Sequence, residues 1–385
     1  MFEKAIIVIH EATTGPGHDL RDFLLKKNVK ELLFIAHPLF YVKGTRKDSS
    51  RFELYKNGKL AKKGSSLHWV LPEYVLYFKD LIYTFLWSQK FIGRSDYFFG
   101  VGNLNALAGL LLKTLGSASK VIYYVIDYIP NRFGNNFINS IYHWIEKYCA
   151  KNSNWTWNLS PRMIEERQKG STTTFPNQLV VLHGVHFNRI RRVSFGKINK
   201  QEILYMGALL KKQGVQMVIE ALPIILQKLP NVIFTIIGSG EYGDTLKKLV
   251  ARLHLEKHVV FLGYIASHEE VENRIAKAGI AIALYEESDD NFTYYTDPGK
   301  VKNYLGAGVP VLITDVPYIA GLVKKARCAI ITRYKKQEVA EKLVSFLSNE
   351  REMVEYRTNA VRFARKYDWD KVFTDALAKM GIAVP

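Results

Sequence analysis

The chain has 385 residues, of which 48% are hydrophobic and 23% are charged, so its composition excludes a disordered or fibrous protein. This length is enough for two α/β domains, each with its own core. The two cysteines, Cys149 and Cys328, lie far apart without metal-ligand spacing, which excludes a disulfide framework and favours a reducing compartment. The first residues lack a signal-peptide pattern, and no apolar run has the length needed to span a bilayer.

The formal net charge of +18 is concentrated in the first half of the chain. Residues 1–195 contain 27 Lys and Arg against 14 Asp and Glu, whereas the remainder contains 27 against 22. A basic half of this kind indicates an anionic partner, either a membrane surface or nucleic acid. The aromatic residues are not interleaved with the basic ones as in a stacking platform, so we expect no nucleic-acid binding.

Two neighbouring stretches favour the membrane surface. Residues 41–64 contain eight basic and two acidic side chains and have the polarity of a loop; a solvated hairpin or a disordered loop is the alternative to a contact with phosphate headgroups. Residues 72–91 have the length of a helix and are apolar around most of its circumference. Such a helix is either buried in the core or lies at a membrane interface with its aromatic rings at headgroup level.

Strands and helices alternate along the first half, which predicts a doubly wound parallel sheet with helices on both faces. The first strand, residues 5–10, leads into a loop with Gly15 and Gly17 and then into a helix. The G-x-G-x-x-G fingerprint of a dinucleotide site is absent from this loop. A later helix, residues 137–151, has an apolar face that includes Ile141, Trp144, Ile145 and Tyr148.

Ligands bind beyond the carboxyl ends of the strands in such sheets. By this rule His10, Asn103 and Asp127 line the predicted site, and the two loop glycines let the backbone approach a ligand. A glycine turn without a ligand and a turn-capping role for Asp127 are the alternatives.

The second half repeats the alternation more regularly, and we place the domain boundary in the basic stretch 188–200. The carboxyl end of each of its strands carries a glycine, a lysine or an acidic residue, as expected where a sheet edge binds a ligand. The predicted strands lie at 202–206, 232–237, 259–262 and 280–284.

The stretch 294–315 carries the strongest functional signal. Asp297 suits an N-cap and Pro298 the first helical position, so a short helix begins there and leads to a buried strand. A helix N-terminus attracts anions, and Lys300 and Lys302 oppose the helix dipole unless a phosphate neutralises both. Two solvated surface lysines are the alternative interpretation.

Taken in order, these segments resemble the retaining glycosyltransferases of family 4, most strongly from about residue 182 to 314. The segments similar to the family's motifs are His183–His186, Gly207–Gly214, Phe234–Gly240, Val260–Tyr264 and Lys300–Val311. The resemblance implies the GT-B architecture, an α/β fold of two facing Rossmann-like domains with parallel sheets. It implies no bound metal and no cofactor, because the nucleotide-diphosphate sugar is a co-substrate.

The resemblance places an acceptor-side domain at 1–190, a nucleotide-sugar-binding domain at 200–365, and a C-terminal helix at 366–385 that packs back towards the first domain. Together with the residue analysis it gives three sets of candidates. The donor-binding set is Gly207, Lys211, Lys212, Gln213, Gly238, Gly240, Gly263, Tyr264, Asp297, Pro298, Lys300 and Asn303. The acceptor-binding set is Gly15, Gly17 and Asn103. The catalytic set is Asp127, His10 and Lys300.

The chain departs from the family at the donor diphosphate. The family's arginine and lysine fall on Ala208 and Gln213, and its paired glutamates fall on Tyr295 and Asn303. Lysines 211, 212 and 300 are left to stabilise the leaving diphosphate. Asn303 can still hydrogen-bond ribose hydroxyls, because an amide has both donors and an acceptor.

The expected function is therefore transfer of a sugar, with retention, from a nucleotide donor such as a UDP-sugar to a lipid-linked or surface-polysaccharide acceptor. We expect a cytoplasmic protein, peripheral on the inner face of a membrane. A non-hydrolysing sugar-nucleotide epimerase and a non-catalytic GT-B-like nucleotide-sugar-binding subunit are the alternatives. The sugar, the linkage and the oligomeric state stay open.

Overall fold

The computed structural model describes residues 2–10, 15–39, 49–67, 73–169, 171–175, 177–288 and 291–382. The chain divides into two compact units, which are Met1–Leu182 with Asp370–Pro385 and His183–Trp369. Each unit contains a sheet whose parallel strands alternate with helices along the chain, as the sequence predicts. Within the described residues, no helix has both the length and the hydropathy needed to cross a bilayer.

The first unit contains an eight-stranded sheet. Its strands are β1 (Lys4–His10), β2 (Glu31–His37), β3 (Arg51–Lys56), β4 (Lys59–Ser65), β5 (Ser95–Val101), β6 (Ala118–Val125), β7 (Trp155–Asn158) and β8 (Gln178–Val180). Its helices are α1 (Pro16–Lys26), α2 (Glu73–Phe91), α3 (Asn103–Thr114), α4 (Asn136–Asn152) and α5 (Pro161–Gln168). The strand order is β4-β3-β2-β1-β5-β6-β7-β8. All neighbouring strands are parallel except the pairs β4–β3 and β3–β2, which are antiparallel.

The edge of this sheet is an antiparallel hairpin, where the sequence analysis expected a polar, loop-like stretch. Strands β3 and β4 are joined by Asn57 and Gly58, whose φ angles of 49° and 76° are those of a tight hairpin turn. Residues 51–64 therefore form the solvated hairpin that was the alternative. Residues 41–48 of the same predicted stretch lie outside the described residues.

The second unit contains a six-stranded parallel sheet. Its strands are β9 (Asn199–Met206), β10 (Ile233–Ile237), β11 (Val259–Gly263), β12 (Ala278–Ala283), β13 (Val311–Thr314) and β14 (Ala329–Thr332), in the order β11-β10-β9-β12-β13-β14. Its helices are α6 (Val215–Leu226), α7 (Gly243–Arg252), α8 (His268–Ile275), α9 (Gly299–Gly306), α10 (Ile319–Lys325), α11 (Lys336–Leu347) and α12 (Glu350–Ala364). Successive residues of β9 belong to different core clusters, so helices cover both faces.

The boundary between the units lies at Leu182 and His183, earlier in the chain than residue 190. The reason is hydrophobic burial: Val185, Phe187 and Ile190 belong to a core cluster of the second unit. The turn after β8 therefore completes the second core and does not end the first.

The last helix, α13 (Trp369–Lys379), packs within the first unit from Asp370 onwards. The ring of Phe373 lies 5.4 Å from the ring of Phe23 and 6.1 Å from that of Trp157, between ring centroids. These aromatic contacts attach the C-terminus to the core of the first unit.

The apolar face of α4 does not pack on the sheet. Trp144 and Tyr148 are 63% and 42% exposed, whereas Glu146 and Cys149 are buried. An apolar helix face normally covers the core, so this helix has the opposite orientation from that expected of a core helix.

The buried side of α4 is fixed by an ion pair. Arg167 is fully buried, and its Nε donates to Glu146 Oε1 at 2.8 Å. Its Nη1 donates to Gln178 Oε1 at 2.7 Å and its Nη2 to Asn158 Oδ1 at 3.0 Å. The guanidinium therefore ties α4 and α5 to the ends of β7 and β8. A buried charge without a partner is strongly unfavourable, so each member of this network depends on the others.

We therefore expect Glu146→Ala to lower the free energy of unfolding of the first unit by about 3–5 kcal/mol, because it leaves the Arg167 charge buried and unpaired. Urea denaturation followed by circular dichroism measures this change. The matched control is Lys371→Ala, which breaks a pair with Asp375 that is 56% and 55% exposed and should change the stability by less than about 1 kcal/mol. Equal effects of the two substitutions would contradict this account.

Candidate functional site

The side chain of Lys300 is the centre of the candidate donor site. It lies in the first turn of α9, after Pro298 at the N-cap position, and is partly exposed. Its ammonium donates to Gln213 Oε1 at 2.7 Å and to the Tyr205 hydroxyl at 3.3 Å, and lies 4.5 Å from the centre of the Tyr205 ring. Among the described residues, no carboxylate forms an ion pair with it. All its protein partners are therefore neutral.

Desolvation has a direct consequence for the charge of this amine. Burial lowers the pKa of Lys300 to about 7, far below the usual value of a lysine. Since nothing anionic offsets this effect, a bound anion would raise the pKa again and stabilise the ammonium form.

Glycines bring two backbone loops against this amine. Gly207, at φ +147°, follows β9, and a Cβ atom there would lie 2.9 Å from Lys300 Nζ. Gly238, at φ +132°, follows β10, and a Cβ atom there would lie 1.9 Å from the carbonyl oxygen of Gly207. At Gly240, a Cβ atom would lie 2.4 Å from the carbonyl oxygen of Leu209. A side chain at Gly207 would meet the Lys300 ammonium, and one at Gly238 or Gly240 would clash with the backbone of the neighbouring loop, so these glycines allow the loops to pack this closely.

The predicted lysine pair forms one turn of 3-10 helix, Lys211–Gln213. Gln213 is buried and accepts the hydrogen bond from Lys300. The ammonium of Lys212 lies 4.5 Å from the centre of the Phe292 ring, whereas Lys211 is exposed. The neutral Gln213 is thus the residue of this turn that contacts Lys300.

Two predicted donor residues lie at the end of β11. Gly263 adopts φ +68° and accepts a hydrogen bond from the Gly238 N–H at 2.8 Å, so this loop adjoins the loop after β10. Tyr264 follows it and is 76% exposed. The carboxyl ends of β9, β10 and β11 therefore bring Gly207, Gly238, Gly263 and Tyr264 to one edge of the sheet.

Asp297 and Lys302 have a different arrangement from the predicted one. Asp297 does not cap α9, because its Oδ2 accepts the His183 N–H at 2.7 Å and pairs with the Lys302 ammonium. Both side chains are fully buried. Burial lowers the pKa of Lys302, and the neighbouring carboxylate of Asp297 opposes that shift. Lys302 therefore anchors the start of α9 and does not present a charge to a phosphate.

The positions of the family's paired glutamates are partly exposed in this chain. Asn303 lies on α9 one turn after Lys300. The Tyr295 ring packs edge-on against Tyr294, with centroids 5.0 Å apart.

In the first unit, a cavity of about 110 Å³ brings together three of the predicted residues, His10, Asn103 and Asp127. The remaining two, Gly15 and Gly17, do not line it. Gly15 is the N-cap of α1, and a Cβ atom at Gly17 would lie 2.3 Å from Ile9 Cγ2, so this glycine serves close packing on β1.

The cavity also has a wall that the sequence analysis did not identify. Its further aromatic and basic lining residues are Tyr77, Tyr123, Arg132, Phe133 and Tyr142. The Arg132 guanidinium lies 5.4 Å from the centre of the Tyr142 ring. These residues come from several separate elements, so no local motif marks them.

The ring of His10 is held on both sides. Its Nδ1 lies 2.9 Å from Asn105 Nδ2, and its Nε2 lies 3.4 Å from Asp80 Oδ2. The amide nitrogen of Asn105 also donates to the Val101 carbonyl at 2.7 Å, which fixes the amide orientation. His10 Nδ1 is then the acceptor and Nε2 carries the proton towards Asp80.

Asp80 is the centre of a buried polar network. The carboxylate accepts from Lys79 at 2.8 Å and from Ser50 at 2.7 Å, and lies 3.3 Å from His37 Nδ1. Burial alone would raise the pKa of Asp80, but hydrogen bonds from His10 and His37 hold it well below its usual range. Burial lowers the pKa of His37 to about 4 despite this carboxylate. Asp80 therefore stays ionised behind the wall of the cavity, with the ammonium of Lys79 as its countercharge.

Comparison with known proteins adds independent findings. Residues 187–367, which lie within the second unit, match the family "Glycosyl transferases group 1". An uncharacterised glycosyltransferase of Methanocaldococcus jannaschii is 24% identical over 189 residues, which are 48% of this chain and 46% of that protein. The GDP-mannose-dependent alpha-(1-6)-phosphatidylinositol monomannoside mannosyltransferase of Mycolicibacterium smegmatis is 30% identical over 78 residues, 20% of each chain. The chain thus spans less than half the length of these curated relatives.

A solved structure is similar over the whole chain. HepE from Anabaena, in complex with UDP-glucose, gives a TM-score of 0.71 at 14% identity, covering 99% of this chain and 100% of that chain. Together with the parallel sheets described above, this similarity establishes the fold. The chain has the α/β fold of the GT-B glycosyltransferases with two Rossmann-like domains, and its second unit matches the glycosyl transferases group 1.

Proposed function

We propose that this protein is a glycosyltransferase that moves a sugar from a nucleoside-diphosphate donor to an acceptor presented at a membrane. The observation that carries the proposal is the ammonium of Lys300, which has no anionic partner among the described residues and lies against the glycine loops. This arrangement falls inside the segment that matches the glycosyl transferases group 1.

The diphosphate is the ligand that best suits this arrangement. A helix N-terminus at Pro298, the amine of Lys300 and the backbone at Gly207 together supply positive charge and space for phosphate oxygens. In this proposal Lys212 adds a second positive charge for the diphosphate, and Asn303 is assigned to the ribose. HepE binds UDP-glucose, so a UDP-sugar is the first donor to test. In this proposal the exposed ring of Tyr264 stacks on the base.

The reaction breaks the bond between the anomeric carbon and a diphosphate oxygen and forms a bond from that carbon to an acceptor hydroxyl oxygen. The diphosphate leaves with the electron pair, and the stabilising positive charge comes from Lys300 and the N–H groups rather than from a metal. The hydroxyl proton passes to Asp127 or to a leaving phosphate oxygen, and the second route gives retention. Asp127 is preferred to His10 as the base, because both ring nitrogens of His10 already face protein groups.

Two observations support a membrane-presented acceptor. The first half of the chain is strongly basic, and the M. smegmatis relative acts on a phosphatidylinositol monomannoside. The proposed protein therefore works peripherally on an anionic membrane surface, on a lipid-linked or surface-polysaccharide acceptor.

A second candidate function is a non-catalytic subunit that binds nucleotide sugars. It is favoured by the neutral residues Ala208 and Gln213 at the positions of the family's arginine and lysine. Incubating the protein with UDP-glucose and a membrane lipid extract distinguishes the two functions. Sugar incorporated into lipid supports the transferase, whereas UDP-glucose that is bound but never consumed supports the binding subunit.

Replacing the central amine should weaken nucleotide binding. We expect Lys300→Met to raise the dissociation constant of UDP by about 10- to 100-fold, because a charged hydrogen bond contributes roughly 1.5–3 kcal/mol. Isothermal titration calorimetry measures the constant, with Lys228→Met, an exposed lysine at the end of α6, as the control. UDP affinity that is equal in both variants would refute the donor-site assignment.

The low pKa of Lys300 predicts a proton uptake on binding. At pH 8 the free amine is mostly neutral, because its pKa is about 7, and a bound diphosphate restores the ammonium form. UDP binding should then take up about one proton and weaken by up to about tenfold per pH unit above pH 7. Calorimetry at pH 8 in two buffers of different ionisation enthalpy measures the uptake, and Lys300→Met should abolish it. Identical enthalpies for the unmodified protein in the two buffers would contradict the prediction.

The acceptor side is tested through Asp127. We expect Asp127→Asn to lower the transfer rate by about 10²- to 10⁴-fold, the usual contribution of a general base. The dissociation constant of UDP should not change, because Asp127 is assigned to the acceptor hydroxyl and not to the diphosphate. Asp244→Asn, which removes a carboxylate that is 91% exposed, is the control. An unchanged transfer rate would assign the proton to a phosphate oxygen instead.

A further inference from the structure

Helix α2 of the first unit buries several polar side chains beside Leu76 and Trp87, and it exposes large apolar ones. Asp80 and Thr84 are each 1% exposed and face the interior. Phe78 and Leu86, by contrast, are 62% and 52% exposed. An ordinary surface helix has the opposite arrangement, with apolar residues on the core.

Helix α4 has the same inverted arrangement. Asn139 and Glu146 are buried, whereas the exposed apolar side chains recur at spacings of four, three and four residues. This spacing places them in one stripe along the helix. They are Phe137, Ile141, Trp144 and Tyr148, exposed by 73%, 43%, 63% and 42%.

The two inverted helices belong to one continuous surface. Helix α3 contacts both α2 and α4, and it adds Leu111 and Leu115, which are 46% and 63% exposed. An apolar groove of about 300 Å³ lies between α2 and α3. We call the outward side of α2, α3 and α4 the outer helical face. It carries most of the exposed large hydrophobic residues of the described chain, far more than a solvated surface normally exposes in one place.

The charges on this face have one sign. Its solvent-accessible charged residues, among the described side chains of α2, α3 and α4, are Lys90, Lys113, Lys147 and Lys151. Among the described side chains of these helices, the carboxylates are buried: Asp80 lies beside Lys79, and Glu146 lies beside Arg167.

The basic hairpin β3–β4 adjoins this face. The ammonium of Lys62 lies 5.4 Å from the centre of the Phe91 ring at the end of α2. Strand β4 exposes two further lysines, Lys59 and Lys63. The surface is therefore apolar in the middle and basic at its rim.

We propose that the outer helical face docks on an anionic lipid bilayer, with the stripe of α4 inserted at the level of the headgroups. A bilayer matches both properties of the face, since it accepts aromatic and aliphatic side chains and attracts the lysines. A second copy of the chain would bring like charges together, so it matches only the apolar part. The inference names the partner surface of the proposed function, but vesicle binding tests it without any nucleotide sugar.

The test compares variants on vesicles of phosphatidylglycerol and phosphatidylcholine. The variant F137S/W144S/Y148S should lose at least about tenfold in its partition coefficient, because it removes the apolar stripe. The matched control is Val354→Ser on α12, an apolar residue that is 45% exposed in the second unit, and it should bind like the unmodified protein. Circular dichroism should show equal folding of all variants, since the substituted residues are exposed.

Two further measurements separate the contribution of the basic hairpin to vesicle binding from that of the apolar stripe on α4. K59Q/K62Q/K63Q should weaken binding to anionic vesicles and reduce its dependence on salt, with little effect on pure phosphatidylcholine vesicles. Vesicle binding should also shift the tryptophan fluorescence to shorter wavelength, and Trp144→Phe should remove that shift, because Trp144 is exposed while Trp157 is fully buried.

The outcomes are distinguishable from those of the proposed function. If F137S/W144S/Y148S binds vesicles as well as the unmodified protein does, the inference is overturned. If the unmodified protein is a dimer and this variant is not, as measured by size-exclusion chromatography with light scattering, the outer helical face binds a second copy instead. Failure of UDP binding with intact vesicle binding would instead overturn only the proposed function. The triple variant should retain the UDP affinity of the unmodified protein, because the outer helical face lies in the first unit and the donor site in the second.

Discussion

The proposed donor site depends on one amine that is partly removed from water and has no carboxylate partner among the described residues. The ammonium of Lys300 donates hydrogen bonds to Gln213 and Tyr205. Both partners are neutral, so they do not balance its positive charge. A side chain at Gly207 would meet this amine, and one at Gly238 would clash with the backbone of Gly207, so both glycines let the surrounding loops approach closely. The buried pair of Asp297 and Lys302 keeps a second lysine of the same helix away from the ligand. Specificity for an anion therefore rests on a single ionisable group set in a rigid backbone frame.

Much of the fold is predictable from periodicity alone. Short apolar runs that alternate with amphipathic segments gave the positions of both parallel sheets, and Pro298 marked the start of α9. The hairpin β3–β4 was predictable as well, since Asn57-Gly58 is a strong hairpin signal, but the many lysines around it suggested a loop. Lys300 could be singled out because a cation at a helix N-terminus is unfavourable without an anion.

Other features depend on contacts that no local pattern contains. The pairing of His10 with Asp80 arises only when β1 and α2 meet. The side of α4 that faces the sheet is also undetermined by sequence, because an apolar stripe has the same period whether it covers a core or faces lipid. Here the buried pair of Glu146 and Arg167 decides the orientation, and that pair forms across two helices.

The neutral partners of Lys300 also explain how the empty protein tolerates such a site. A buried amine that stayed ionised without a countercharge would lower the free energy of unfolding. An amine that releases its proton near neutral pH avoids this cost. With a pKa of about 7 the amine of Lys300 is mostly neutral above pH 7, and the proposed diphosphate would favour its ammonium form. Local acidity would then tune the fraction of molecules ready to receive a donor, without any movement of the chain.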